Sequence, residues 1–569
     1  MPLTALVVAL LGVLASGVRA QEIEELQGRV SGVFGSSGLR AATWSAMVFS
    51  LDAGDTLFAL ASDSALAPAS NLKLLTTAAA LGVLGPEYRF RTYLLTDGTV
   101  SDGVVDGDLV LFGTGDPGIS DRFYSRKDDV FQRLIDQLDD LGIHTVTGDL
   151  VGDASYFTGP LRPLGWDPRD LNDHFTGAVS ALSFNENVVS FRVVPGPVGE
   201  APEVTTVPPH SGMEVINDAE TVVGQARPRL AILRDDPLDP VRVEGRMVAG
   251  TRDVWREMTV SVPARFAAAS FRAALAERGI ALHGGIKLVE DARGSILGGD
   301  VVSAPAHGRR RARVLARHVS EPLTAYLEVI NRESNNLFAE LVFRSVGRSM
   351  TGEGSPQAST RAVSAALSSI GVDLRGAVQV DGSGLSLDNR VSASTFVSVL
   401  DRMADGPHWN EYWSSLPEAG QRQGLGRMYS TAAADNLRAK TGTIEGVSAL
   451  SGMVRSGDGE RLAFSLLVND AQSTTRAKRV ENQIGVLLAS FRRAPAQVPT
   501  LQIVEADVAA GQLGGSVDRH RVDSGENLSL IASKYRVTLD ELLRANPRIE
   551  ADRIVTGQWI EIPQRSGTD

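Results

Sequence analysis

Two runs of alternating apolar and polar residues stand out near the N-terminus, in "WSAMVFSLDAGDTLFALASDSALAPAS". Side chains of a strand point alternately to opposite faces, so each run predicts a half-buried strand. Asp52-Ala53-Gly54-Asp55 between them predicts the turn of a hairpin. The period then changes at "SNLKLLTTAAALGVLG", Ser70 to Gly85. There Leu74, Ala78 and Leu81 fall on one helical face, Pro68 precedes the segment, and Gly82, Gly85 and Pro86 close it.

From residue 91 to residue 309 the texture becomes short β-rich runs broken by Gly, Pro and Asp, as in "GDLVLFGTGDPGIS" and "NVVSFRVVPGP". Helical periodicity returns with "EPLTAYLEVINRESNNLFAELVFRSVG". Next, "RAKTGTIEGVSALSGMV" and "RLAFSLLVND" predict adjacent strands, and "TTRAKRVENQIGVLLASFRRA" a closing helix. Strands at both ends of a unit with helices between them predict a multidomain α+β protein: an α/β sandwich over 21–90 and 310–493, interrupted by a β-rich insert over 91–309. Residues 494–518 carry Pro, Ala and Gly and read as a linker. Residues 519–564 read as a small strand–helix–helix–strand domain.

A chain of 569 residues has room for several domains of about 100–200 residues each. The net charge of −12 argues against a nucleic-acid binder, which would show a basic patch or stripe. No cysteine is present, which excludes disulfides, thiolate catalysis and cysteine-ligated metals. Residues 1–20 combine an apolar run from Leu3 to Val18 with the small-residue pattern Val18-Arg19-Ala20, and read as a signal peptide cut after Ala20. An uncleaved anchor or a buried strand is the other reading of that run. The mature chain then has no membrane span, and a periplasmic or secreted, cell-wall-associated location is expected.

Of the 56 basic residues only six are lysines: Lys73, Lys127, Lys287, Lys440, Lys478 and Lys534. Arginine stays protonated in proteins, whereas a buried lysine can give up its proton. Lys73 alone has a serine three residues before it, and positions i and i+3 share a helix face. A serine hydroxyl needs an adjacent base to act as a nucleophile, and a helix start favours an oxyanion over an ammonium. By itself Ser70-x-x-Lys73 also reads as a helix cap beside a surface lysine.

Two further stretches bear on that choice. Ser334-Asn335-Asn336 lies between two predicted helices, where the Ser334 hydroxyl can relay a proton and the Asn336 amide can hold a substrate carbonyl. Alone it is also a helix cap. Lys440-Thr441-Gly442-Thr443 enters an apolar strand. A charged Lys440 and the Thr441 hydroxyl can grip a carboxylate, Gly442 lets substrate backbone approach, and the Thr443 N–H can join the Ser70 N–H as an oxyanion hole. Alone this is a solvated strand start.

In this order, the three stretches resemble the Ser-x-x-Lys, Ser-x-Asn and Lys-Thr-Gly triplet of the serine penicillin-recognising enzymes. The long span between Lys73 and Ser334 is similar to that of the class C low-molecular-mass penicillin-binding proteins, the D-alanyl-D-alanine carboxypeptidase/endopeptidase type. "FGTGDPGIS", "GDASYF", "AVSALSFNENVV", "DGSGLSLDN" and "LPEAGQRQGLGRM" agree with that family. The resemblance covers roughly residues 25 to 493. It implies a β-lactamase/transpeptidase-like fold and attack by Ser70 on the carbonyl between two D-amino acids of a peptidoglycan stem peptide. Lys73 would be the base, and β-lactams would act as covalent inhibitors. Asp153 is a candidate partner for a substrate amine, and equally a turn aspartate. The family often places Arg, near a side-chain subsite, where this chain has Leu387, with Arg390 three residues on. Its Asp-Gly-Thr-Leu is replaced by Gln421-Arg422-Gln423-Gly424.

The tail "HRVDSGENLSLIASKYRVTLDELLRANPRIEADRIVTGQWIEIP" resembles a LysM module, a resemblance that implies binding to N-acetylglucosamine-containing glycan. Such a tether raises the effective concentration of a polymer-bound substrate. The eight histidines show no His-x-x-x-His spacing, and no metal or cofactor is expected. Two other functions compete with the peptidase: a β-lactamase or esterase of the same fold, and a non-catalytic wall-binding scaffold.

Overall fold

The computed structural model describes residues 21–224, 229–297, 312–493, 518–523, 526–535, 537–547, 549 and 554–563. The expected signal peptide over 1–20 and nearly all of the expected linker lie outside these residues. The chain divides into two compact units, Met1–Ala496 and Gln497–Asp569.

The first unit is built on a five-stranded antiparallel sheet. Its strands are β1 (Thr43–Ser50), β2 (Thr56–Leu60), β3 (Arg438–Ile444), β4 (Val447–Arg455) and β5 (Arg461–Asn469), in the order β3-β4-β5-β1-β2. β1 and β2 form the expected hairpin, and β3 is an edge strand. Alternation along β4 and β5 sorts the side chains onto two faces. Ala449, Met453, Ala463 and Leu467 pack against helix α1 (Lys73–Leu84) and its neighbours. Leu450, Val454, Leu462, Phe464 and Leu466 pack against α4 (Thr474–Ser490) and the helical residues Leu26 and Val30. Helices on both faces leave the central strands buried and apolar. Two consecutive helices, α2 (Leu323–Arg332) and α3 (Asn336–Thr351), complete the α1 side.

The insert departs from the segment into several small sheets. The largest runs Ile286–Val289, Leu150–Asp153, Leu109–Gly113, Arg91–Thr96, Arg313–Val319. Its last strand, Arg313–Val319, lies in the segment that the sequence pattern assigned to the sandwich, yet it pairs antiparallel with Arg91–Thr96. The insert also contains two helices, Asp129–Asp140 and Pro263–Glu277, that a β-rich reading passes over. Both bury an apolar stripe, including Phe131, Leu134, Phe266 and Phe271, in the insert's core.

In the second unit, Asp518–Arg521 pairs antiparallel with Trp559–Ile562, and helices Leu528–Tyr535 and Leu539–Ala545 lie between them in sequence. Val522, Leu528, Ile531, Leu542, Ile560 and Ile562 form its core. Asn546 ties helix to strand: its amide donates to the carbonyls of Leu542 (2.8 Å) and Glu561 (2.7 Å) and accepts the Glu561 N–H (2.9 Å).

Candidate active site

Ser70 sits in a 3₁₀ turn, Ala69–Leu72, that runs directly into α1, so the nucleophile candidate precedes the α-helix by one turn. Ala69 adopts φ +46°, a conformation that alanine rarely occupies and that only surrounding packing can impose. That packing is visible. Asn71 is buried and donates to Ser451 Oγ at 2.7 Å, and Ser451 is the register partner of Lys440. The helix start is thereby fixed to the strand pair that carries Lys440.

Lys73 is fully buried and faces inward. Its Nζ lies 3.0 Å from Ser70 Oγ, 2.6 Å from Asn336 Oδ1 and 2.7 Å from the Ser383 carbonyl. Burial pushes its pKa down to about 7, against the opposing charges of Asp381 and Glu340. A free amine is therefore well populated near neutrality, within hydrogen-bond reach of the hydroxyl it would deprotonate.

The second lysine is equally buried. Lys440 Nζ donates to Ser334 Oγ at 3.0 Å and to the Thr441 carbonyl at 2.8 Å. Burial, and then the charge of Lys73, holds it well below the ordinary lysine range. Among the described residues no carboxylate hydrogen-bonds to its Nζ, and a bound carboxylate would favour its charged form.

Ser334 occupies φ +61° at the corner between α2 and α3. Asn335 caps α3 by accepting the Phe338 N–H at 3.1 Å. Asn336, the first residue of the helix, gives its oxygen to Lys73 and its NH₂ to the Phe175 carbonyl (2.9 Å). The amide oxygen thus orients Lys73, and the NH₂, which carries two N–H donors, uses one on Phe175.

Gly442 explains how the edge strand approaches. A Cβ there would lie 2.7 Å from the Pro68 carbonyl oxygen and 3.1 Å from the Ser70 nitrogen. β3 thus runs alongside the backbone amide of Ser70, with Thr443 the next residue. Gly384 has a similar part on the other side: at φ +86°, its Cβ would meet the Ala69 carbonyl oxygen at 2.0 Å.

The structure brings together Ser70, Lys73, Ser334, Asn336 and Lys440, with Thr441 and Gly442 on the adjoining strand. Asp153 is not among them. It lies fully buried at the end of an insert strand, accepting from the Ser155 N–H (2.9 Å) and the Ser295 hydroxyl (2.6 Å), and burial raises its carboxyl. Its contacts are those of a turn aspartate. Asp381, Glu340, Ser383 and Phe175 were not singled out as site residues. Glu340 was findable, because it follows Asn336 by one helical turn and so shares its face.

A cavity of about 670 Å³ opens beyond Thr443, lined among others by Trp166, Asp170, Leu385, Leu387, Ile444 and Glu445. Leu387, at the position where the resemblance expects Arg, lines this cavity. Among the described residues no cluster of His, Cys, Asp and Glu could hold a metal ion, and no helix is long and apolar enough to cross a membrane.

A sandwich with a buried Ser/Lys pair, a Ser-x-Asn corner and a Lys-Thr-Gly edge strand is the framework of a serine acyl-transfer enzyme. The chain belongs to the D-Ala-D-Ala carboxypeptidase 3 (S13) family, whose model matches residues 26–491, and a LysM domain model matches residues 520–563. It is a D-Ala-D-Ala carboxypeptidase by that membership. It is 34% identical over 490 residues to a D-alanyl-D-alanine carboxypeptidase of Actinomadura sp., covering 84% of this chain and 86% of that one. The D-alanyl-D-alanine carboxypeptidase DacB of Haemophilus influenzae is 28% identical over 421 residues, covering 72% and 82%. The crystal structure of penicillin-binding protein 4 (dacB) from Haemophilus influenzae superposes with a TM-score of 0.67 at 26% identity, over 80% of this chain and 97% of that one. A second structure of that protein, complexed with a β-lactam, gives a TM-score of 0.63 at 23% identity, over 80% and 97%.

Proposed function

We propose that Ser70 is the nucleophile and Lys73 its general base, in a reaction that cleaves D-alanyl bonds of peptidoglycan stem peptides through an acyl-enzyme. The 3.0 Å contact between Lys73 Nζ and Ser70 Oγ, in a site that disfavours the ammonium, carries this reading. Lys73 takes the Ser70 proton as Oγ adds to the scissile carbonyl. The Ser70 and Thr443 N–H groups receive the developing oxyanion. Lys440 and Ser334, joined by a 3.0 Å hydrogen bond, pass a proton to the departing amine. The leaving D-alanine, or the cross-bridge amine of a second peptide, takes that proton and departs; water then hydrolyses the ester and frees Ser70. The Thr441 hydroxyl and Lys440 hold the substrate carboxylate.

The side chain of the acyl donor extends into the cavity beyond Thr443. Its charged rim sets Asp167, Asp170 and Glu445 against Arg169, an excess of negative charge that favours a side chain bearing an ammonium group. Leu387, half exposed, supplies an apolar wall there. The LysM domain binds the glycan, and the enzyme works outside the cytoplasm on the wall.

A fluorescent penicillin should label the wild type covalently and leave Ser70→Ala unlabelled; an unlabelled wild type overturns the assignment, and rapid turnover of free penicillin favours a β-lactamase. Digestion of monomeric and cross-linked muropeptides, with product masses read out, separates carboxypeptidase from endopeptidase action. Removing the residues after Asp518 should weaken sedimentation with purified peptidoglycan and spare cleavage of small substrates. Unchanged sedimentation refutes the tether.

A further inference from the structure

Beneath Lys73 lies a buried carboxylate that no step above uses. Glu340 is wholly shielded from solvent, and its Oε1 accepts the backbone N–H groups of Gly382 and Ser383, each at 2.9 Å. The carbonyl of the same Ser383 accepts from Lys73 Nζ at 2.7 Å. Thr76 holds the other side of this peptide, donating to the Gly382 carbonyl at 2.8 Å. α3 therefore reaches Lys73 in two ways. Asn336 accepts from it directly, and Glu340, one turn later, holds by its N–H the residue, Ser383, whose carbonyl Lys73 contacts.

We infer that Glu340 is a positioning residue that sets the proton affinity of Lys73 by placing a negative charge behind the Gly382–Ser383 peptide; this rests on Lys73 being the base. A buried carboxylate near a lysine favours its ammonium form, and the effect is large where water is excluded. Three titratable groups face Lys73: Glu340 on α3, Asp381 from the loop and Lys440 on β3. Glu340 itself faces Asp381 and Arg344. Asp381 is held by the N–H groups of Gly384 (2.8 Å) and Ser386 (2.9 Å), the Asn389 amide (2.9 Å) and the Trp166 indole (3.0 Å). Glu340 has fewer partners: the two N–H groups at Oε1, with the Ser383 hydroxyl facing it. Burial raises the Glu340 carboxyl. The carboxylate charge of Glu340 therefore favours the Lys73 ammonium over the amine that activates Ser70, against the burial that favours the amine.

The test is the pH profile of acylation by a fluorescent penicillin, in wild type, Glu340→Gln and Thr76→Val, with folding of each checked by thermal melting. Glutamine keeps an oxygen for both N–H groups but removes the charge. At an effective dielectric constant of about 20, its loss should move the acid limb of the rate about one pH unit lower. Thr76→Val loosens the same peptide with the charge intact, and its limb should stay in place while its rate falls. An unmoved limb in Glu340→Gln, or equal movement in both variants, overturns the inference. A wild type that takes no label at all would instead overturn the assignment of Ser70 and Lys73.

Discussion

Replacing Gly442 by alanine tests whether the edge strand must touch the backbone of the proposed nucleophile, Ser70. The added Cβ would sit 2.7 Å from the Pro68 carbonyl oxygen, 3.0 Å from Ala69 Cβ and 3.1 Å from the Ser70 nitrogen. Ordinary contact begins at 3.4 Å, so β3 must retreat by 0.7 Å from Pro68 and by 0.3 Å from Ser70. Two of the three obstacles are backbone atoms of a buried turn, which cannot swing aside as a flexible side chain would. The retreat separates the two N–H groups proposed to share the oxyanion. Misplacement on the scale of 1 Å costs about 100-fold, and loss of one oxyanion donor about 10²–10³ in rate. Gly442→Ala should therefore lower the second-order rate of Ser70 acylation by about 100-fold. Overpacking of this kind costs about 1–3 kcal/mol of stability, a cost the edge position of β3 keeps toward the lower end. The measurement is acylation by a fluorescent penicillin under pseudo-first-order conditions, beside a thermal melt. A variant that folds and acylates within about threefold of the wild type would show that the oxyanion is not bound between Ser70 and β3.

Three further outcomes follow from the same geometry. With Lys73 pushed to about 7, only its amine form works, so the acylation rate should rise with pH through about 7 and level off above; a rate that falls over that range excludes Lys73 as the base. Ser334→Ala leaves Lys440 without its relay partner and should cost about 10²-fold or more on a peptide substrate. Its effect on penicillin acylation should be smaller, because the strained ring opens without an amine departing; equal losses would argue against a relay. Asn335→Ala removes the cap on the Phe338 N–H and the 2.7 Å hydrogen bond to Glu186, and should lower stability to urea by about 1 kcal/mol. No change in the urea midpoint would mean that the cap is satisfied by other groups.

The parts of this site that were legible in the sequence are those where a residue type is tied to a fixed offset. Ser70 and Lys73 are three apart because one turn of helix brings them together. Lys440, Thr441 and Gly442 are contiguous because one strand presents them. The sandwich was legible for a related reason: the period-2 runs of β4 and β5 bury both faces and read as apolar strands. What stayed hidden depends on contacts across long separations. Phe175 reaches Asn336 by a backbone carbonyl, and no side-chain identity at position 175 announces that. Glu340 was visible only as an acid one turn after Asn336, with its partner 42 residues away in a turn. Asp153 stood open between a ligand role and a turn aspartate. Its sequence setting invited a ligand role, yet Ser155 and Ser295 occupy its carboxylate, and Ser295 lies 142 residues further on. The helices Asp129–Asp140 and Pro263–Glu277 were passed over because the strands on either side are short and set the local texture.

The insert does more than lengthen the chain between Lys73 and Ser334. Asn185, Glu186 and Asn187 take φ values of +49°, +53° and +57°, three successive residues in a region that asparagine tolerates and glutamate rarely enters. The turn is held by Asn187, which donates to the Ala178 carbonyl (2.8 Å) and the Ser183 hydroxyl (3.0 Å). Its product is the placement of Glu186, which accepts from Arg122 at 2.6 Å and from the Asn335 amide at 2.7 Å. Arg122 continues to Glu333 at 2.5 Å. Residues on both sides of Ser334 are thus gripped by one insert turn and its arginine, while the Phe175 carbonyl of the same insert takes the Asn336 amide. Ser334 itself stands at φ +61°, a conformation that a free helix–helix corner would not choose for serine. The strain on the catalytic side is matched by strain on the insert side, and the hydrogen bonds between them over-determine both. The proposed proton relay from Lys440 through Ser334 therefore depends on groups from the insert, which makes the insert part of the proposed active site.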